Sequence, residues 1–437
     1  MNESVARTMT LLCSLVGTLP VGTNLGLLHL LWMMVCGCLL VSRGAVIPGL
    51  HHAGLSDRAI RRAWQALRRG SWVIGQMMVN WEATVRREGR WQVRYHGGYC
   101  ALPIDTVGFW RPRLKNCPTK HYDHRAGKAL PAIVLGMLGR VGQVGKQRLL
   151  LPLAFLRADP TQPDEGGLVS GLIAKAKDLM QPQDVLVSDG GFPLEVILVK
   201  RISRFVAKQA RNCTARRVLP PQYSGCGRPP QRGVIVRPLA RSYNCRLIAA
   251  TSPDRTETWE EDDIALRADI WDGLVLKSTP AQVAIEAPTF SILVFHDPRF
   301  TRPLVVATNL SLAAQHVLAL YRDRWPVEQL PLSAKQMVGA HRAFVFALET
   351  CHRLPELALL AGAILSYAAA VLPAIPTGFW DRAPEPTAGR LRRHLARQGF
   401  PTDFPLPPEI RQKASVTDHL PKGSSLFRRQ KRLGAVT

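Results

Sequence analysis

The segment YRDRWPVEQLPLSAK, residues 321–335, sets Tyr321, Arg324, Glu328 and Lys335 at offsets of 0, 3, 7 and 14. At about 100° per residue those offsets fall within roughly 60° of one another on an α-helix, so one helical face is expected to carry all four. That face would present a carboxylate for a hard cation, flanked by an aromatic hydroxyl and two cations that suit a DNA phosphate. An amphipathic helix with a solvated charged face explains any one pair equally well. Pro326 and Pro331 lie inside the segment, and interior prolines kink or break helices. Pro326 suits the first turn of a fresh helix, an arrangement that would weaken the single-face geometry.

Two acidic residues stand upstream, at the ends of apolar runs. Tyr99–Val107, Ala132–Leu138, Leu149–Phe155 and Val185–Val187 read as strands, with helical spacing over Ala174–Met180 and Leu194–Ile202. Strands alternating with helices predict an α/β core. Asp105, in LPID at 102–105, and Asp189, delivered by VLVS at 185–188 to Gly190-Gly191, precede Glu328, with 84 residues from Asp105 to Asp189 and 139 from Asp189 to Glu328. Each aspartate alone is as readily a turn former or helix cap. Taken together, the three carboxylates repel in a shared site unless a cation neutralises them. Two Mg²⁺ ions meet that need, with Mn²⁺ as an alternative, and a two-ion site supports phosphodiester cleavage.

Charge points the same way. Lys and Arg number 57 against 32 Asp and Glu in 437 residues, a formal +25 that attracts polyanions, nucleic acid above all. Hydrophobic residues make up 46%, which excludes global disorder. Nine cysteines form no CxxC pair, so neither a zinc site nor a disulfide framework is expected. Residues 8–42 carry no formal charge. Gly17, Pro20, Gly22 and Asn24 interrupt the run, so buried helices are favoured over a membrane anchor.

Five parts are expected. Residues 1–98 form an all-α N-terminal DNA-binding domain. Within it Val46–Ala53, Gly54 and a helix over 57–69 resemble a helix-turn-helix, with Ser56-Asp57 as cap, Gly70 as C′ glycine, and Arg61 and Arg62 as candidate DNA contacts. A solvated basic face explains those arginines equally well. Residues 99–204 form the first part of the catalytic core and 205–300 a β-rich insertion, with strands at Val234–Val236, Arg246–Ala250, Leu274–Leu276, Val283–Ile285 and Ser291–Phe295. Residues 301–375 return to the core through Leu304–Thr308 and an apolar helix at Leu354–Val371, and 376–437 form a basic tail ending in Arg428, Arg429, Lys431 and Arg432. Trp325 is a candidate base-stacking residue whose ordinary role would be a buried aromatic. His121 and His124 lack a second cluster to complete a zinc site, and Glu286 and Asp297 are rival third carboxylates.

The four offsets coincide with the Y-(2)-R-(3)-E-(6)-K signature of a large group of bacterial insertion-sequence transposases, and the chain resembles that family from about Tyr99 to His341. The resemblance implies an RNase H-like core with Asp105, Asp189 and Glu328 as metal ligands. It also implies that Tyr321, Arg324 and Lys335 contact DNA backbone near the cleaved end and that the insertion covers the active site. The implied reaction is hydrolysis at the element's ends followed by attack of the freed 3′-hydroxyl on target DNA. The partner would be double-stranded DNA, the working form a homodimer without membrane association, and the location the cytoplasm at the nucleoid. Set against this enzyme are a defective remnant that only binds DNA and a membrane-anchored protein using residues 8–42.

Overall fold

The computed structural model describes residues 2–123, 125–159, 161, 166–280 and 285–412. Six helices come first: α1 (Glu3–Val16), α2 (Thr23–Val35), α3 (Cys38–Val41), α4 (Val46–His52), α5 (Asp57–Arg69) and α6 (Ile74–Glu88). The uncharged run folds into the first three. From Asn24 to Val35 every residue of α2 is buried, as a helix apolar all round must be. α5 buries Ala59, Ile60, Ala63, Ala66 and Leu67, the stripe its periodicity predicts. Gly70 ends α5 with φ −62°, so it is no left-handed C′ glycine, and Ser56 makes no side-chain capping bond.

A single mixed sheet dominates the remainder. β1 (Gln92–Val93), β2 (Cys100–Trp110), β3 (Lys120–Asp123), β4 (Lys128–Val144) and β5 (Gln147–Arg157) lead through α7 (Gly166–Leu179) to β6 (Asp184–Ser188), and through α8 (Leu194–Val199) to β7 (Phe205–Lys208). Then come β8 (Ala215–Arg217), β9 (Ile235–Val236), β10 (Arg241–Tyr243), β11 (Arg246–Ile248), β12 (Arg255–Glu261), β13 (Ile264–Leu276), β14 (Phe290–His296) and β15 (Leu304–Thr308). The order across the sheet is β1-β4-β2-β6-β7-β15-β14-β13-β8-β9, with β3 and β5 also on β4 and β12 on β13. β2 runs antiparallel to β4 and parallel to β6, and β6 runs parallel to β7. The insertion therefore extends the core sheet: β15 adds antiparallel to β7, and β14 and β13 follow. Of the expected strand Val283–Ile285, positions 283 and 284 lie outside the described residues, as do His124 and the tail's Arg428, Arg429, Lys431 and Arg432.

The chain closes with α9 (Ala314–Arg322), α10 (Trp325–Leu332), a π-helical turn (Ser333–Val338), α11 (Leu348–Val371) and α12 (Ala388–Ala396). α11 is long and apolar enough to cross a membrane, with mean hydropathy 1.7, yet 83% of its apolar window is buried inside the protein. Its apolarity is accounted for by the fold.

Both faces of the sheet's centre are covered, which explains the near-continuous apolar run of β2. Side chains alternate between faces with period two. Leu102, Ile104 and Leu186 join one core with α7 and α8. Ala101, Val107, Phe109, Val185 and Val187 join the other, with α10, α11 and the N-terminal helices. Odd-numbered positions on β2 and β6 thus look toward α10.

Candidate active site

Asp105 and Asp189 share that odd-numbered face. The parallel register pairs Cys100 with Asp184 through to Pro103 with Val187; continued past the end of β6 it points Asp105 toward Asp189, whose charge acts on the Asp105 carboxyl. Asp105 lies within β2, where its backbone pairs with Met137 of β4. Asp189 follows the last residue of β6, and its Oδ1 accepts from the Gly191 amide at 2.9 Å. A Cβ at Gly190 would meet nothing within 4 Å, so the space beside Asp189 is open.

The electrostatics follow from this juxtaposition. Burial and, next, the negative charge of Asp189 push the Asp105 carboxyl up to about 7; Arg324 opposes the shift and Glu328 adds to it. Asp105 therefore carries its charge at a cost, and the groups it senses are the ones whose spacing the sequence singled out. Glu328 pairs with the Arg324 guanidinium one turn before it. The Arg324 guanidinium carbon lies 5.7 Å from the Tyr321 ring centroid, and its Nε and Nη1 are buried with no hydrogen-bond partner. Burial lifts the Tyr321 hydroxyl above its usual range, with Arg324 pulling against it. Lys335 reaches back to β2, its Nζ 5.3 Å from the Phe109 ring centroid; burial lowers its ammonium below the usual range while Asp105 works in the other direction.

The four signature residues converge, but not on one helical face. α9 ends at Arg322, Asp323 and Arg324 form a break, and α10 starts at Trp325 with Pro326 in its first turn. Tyr321 belongs to α9, Glu328 to α10 and Lys335 to the π-helical turn. Pro331 sits inside α10, and the backbone widens into π geometry directly after it, at Ser333. The expected helical phase is thus replaced by packing: Val327, Leu330 and Ala334 bury against the sheet and bring Glu328 and Lys335 to Asp105.

Asp323 went unnoticed in the sequence and proves central. Its side chain is 1% exposed and takes bonds from Arg94 Nε at 3.0 Å, His96 Nε2 at 2.8 Å and Arg148 Nη1 at 3.4 Å. Burial would raise its pKa, but the bonds from His96 and Arg94 hold it below the usual carboxylate value. Only its position beside Arg324 could have flagged it.

The other candidates fall elsewhere. Trp325 is 51% exposed, not buried, because it heads α10 where no core lies above it. Arg61 is exposed on α5, and Arg62 donates to Gln412 Oε1 at 2.8 Å; the main packing partners of that helix are α2, α4 and α11. Asp297 is engaged by Arg299 and Arg322, and Glu286 is exposed; the carboxylates whose charge reaches Asp105 are Asp189 and Glu328.

Among the described residues, no three His, Cys, Asp or Glu side chains stand close enough to form a ready cluster of metal donors. The donor chemistry nevertheless fits a hard divalent ion: one carboxylate within β2 and costly to ionise, a second just past the end of the neighbouring β6, and a third held by a neighbouring arginine. Compared with known proteins, the chain matches no family model and no curated sequence.

Proposed function

We propose that the protein is a DDE transposase of the Y-R-E-K group, cutting the ends of its own element and joining them to target DNA. The observation that carries this reading is the juxtaposition of Asp105 with Asp189 on parallel strands, with Glu328, Arg324 and Lys335 as the charges beside them. The strand order β5-β4-β2-β6-β7, three antiparallel strands followed by two parallel ones, is compatible with the RNase H-like core that the resemblance implies and supports the same reading.

On this reading Asp105, Asp189 and Glu328 hold Mg²⁺ or Mn²⁺, which when bound would activate the attacking oxygen and stabilise the leaving one. Arg324, paired with Glu328 beside the carboxylates, supplies positive charge to a phosphate oxygen. Lys335 supplies a second positive charge, and Tyr321 fixes the guanidinium from beneath. Water attacks phosphorus and the 3′ oxygen departs with the proton the water loses; the freed 3′-hydroxyl then attacks a target phosphate, breaking the bond to that strand's own 3′ oxygen, which departs with the proton the attacking hydroxyl loses. The helices of 1–98 bind the element's ends, two copies work together, and the protein acts at the nucleoid.

Plasmid carrying the gene with its native flanks is the test. Wild type with Mg²⁺ is expected to nick at both ends, and Glu328→Gln to bind the ends without nicking. Equal cutting by Glu328→Gln would overturn the assignment. The Arg324–Glu328 pair favours a second reading, in which the third carboxylate stays with its arginine and the protein binds DNA without cutting it. End binding with no cleavage by wild type in either metal would select it.

A further inference from the structure

Beyond the carboxylates, a groove of about 660 Å³ opens between the end of β2 and the segment 341–346. Trp110, Arg113, His341, Arg342, Phe344 and Phe346 line it, and no acidic residue does. Phe344 is 50% and Phe346 66% exposed, a costly placement for two phenyl rings unless something covers them. The rings are not on a loose loop. The Phe344 amide donates to the Gly44 carbonyl at 3.1 Å, and a Cβ at Gly44, whose φ is +89°, would stand 1.5 Å from the Arg342 carbonyl oxygen. From the other side Arg111 Nη2 and Cys351 Sγ donate to the Val345 carbonyl at 2.7 and 3.2 Å. Arg111 is 7% exposed, lines the groove, and its Nε has no partner.

We propose that this groove holds unpaired bases of a DNA strand leading away from the carboxylates. Exposed aromatic rings on a fixed backbone offer stacking faces, and in a duplex the base faces are already covered by their neighbours, so the ligand is single-stranded. Arg113 and Arg342, which no acidic residue of the groove opposes, suit the phosphates of that strand. Position agrees. Trp110 closes β2 five residues beyond Asp105, about 17 Å along the strand. His341 Nδ1 bonds the Lys335 carbonyl at 2.9 Å, joining the groove to the turn that faces Asp105.

The route toward the carboxylates rests on the DNA-cutting reading, but the binding is measurable without any cutting. Fluorescence anisotropy in EDTA would compare a 5′-labelled oligothymidylate with a duplex hairpin, using full-length protein. Phe344→Ala/Phe346→Ala is expected to weaken binding of the single strand at least about tenfold and leave the hairpin unchanged, with Tm unaltered because both rings are exposed. Arg342→Ala should weaken it further. Unchanged affinity for the single strand, or no affinity in wild type, overturns the proposal, and so does an equal loss on both probes, which would mark the groove as a phosphate track. A shift from dimer to monomer in sedimentation velocity, with DNA binding intact, would assign the rings to a second copy instead. Failure of plasmid nicking would sink the transposase reading while leaving this result standing.

Discussion

Asp105 shows how little a single carboxylate needs to become conspicuous. Its neighbours on β2 are apolar, its strand pairs in register with the strand of Asp189, and the result is a carboxyl that ionises near 7 instead of 3.8. A raised carboxyl binds its proton more tightly in the folded state than in the unfolded one, so its contribution to stability is lost as pH rises from about 4 to about 7. Asp105→Asn is therefore expected to leave Tm unchanged at pH 4 and raise it at pH 8 in EDTA; an equal shift at both pH values would refute the assignment. Divalent ions compete with the same proton, so Mn²⁺ affinity by calorimetry should rise with pH through about 7 and flatten above it. Arg324→Ala releases Glu328 and, on the proposed function, removes a phosphate donor. It should bind Mn²⁺ at least as tightly as wild type while losing end cleavage. Weaker metal binding would mean that the arginine orders Glu328 for the ion.

The helical segment owes its shape to an anchor as much as to its prolines. Asp323 ties the break between α9 and α10 to Arg94 and His96 beside β1 and to Arg148 on β5. Removing one member of a buried ionic network leaves the others unpaired; here about 3 kcal/mol is expected, the lower end for such pairs because Arg94 and Arg148 keep some contact with water. Asp323→Ala should lower the unfolding free energy measured by urea titration by that amount and reduce cleavage more than end binding. A stable variant with full cleavage would show that the break is set by Pro326 alone. The π-helical turn is the second adjustment, widening the backbone just after Pro331 so that Lys335 reaches β2.

At the scale of the molecule, the N-terminal helices and the sheet are not independently cored. One cluster of buried side chains runs from Val5 and Trp32 through α11 to Phe109 and Val187. α11 lies against α1, α2, α5 and α6 on one side and β4 and β5 on the other. Unfolding followed by far-UV dichroism and by tryptophan fluorescence should therefore coincide in one transition, whereas two separated transitions would mean that 1–98 folds alone. The +25 charge belongs to this scale too. End binding should weaken steeply with salt, the slope of log K against log salt being about −0.9 for each phosphate contacted.

The sequence by itself carried the strands of the α/β core, the helices around them and the three acidic residues, because strand and helix periodicities and turn residues are local signals. It also carried the four signature positions. Other features depend on partners far along the chain. Asp323 looked like one more charge in a basic segment until Arg94, His96 and Arg148 surrounded it. The single helical face assumed an unbroken helix, whereas tertiary packing brings Tyr321, Glu328 and Lys335 together from three different elements. Trp325 read either as a base-stacking residue or, more ordinarily, as a buried aromatic, and only its place at the head of α10 left it in solvent. The exposed rings of Phe344 and Phe346 are likewise a tertiary fact: a glycine three hundred residues earlier holds their backbone in place. Periodicity reports which residues want to be buried together along one element; which elements then meet, and at what register, is decided by long-range packing that no local pattern encodes.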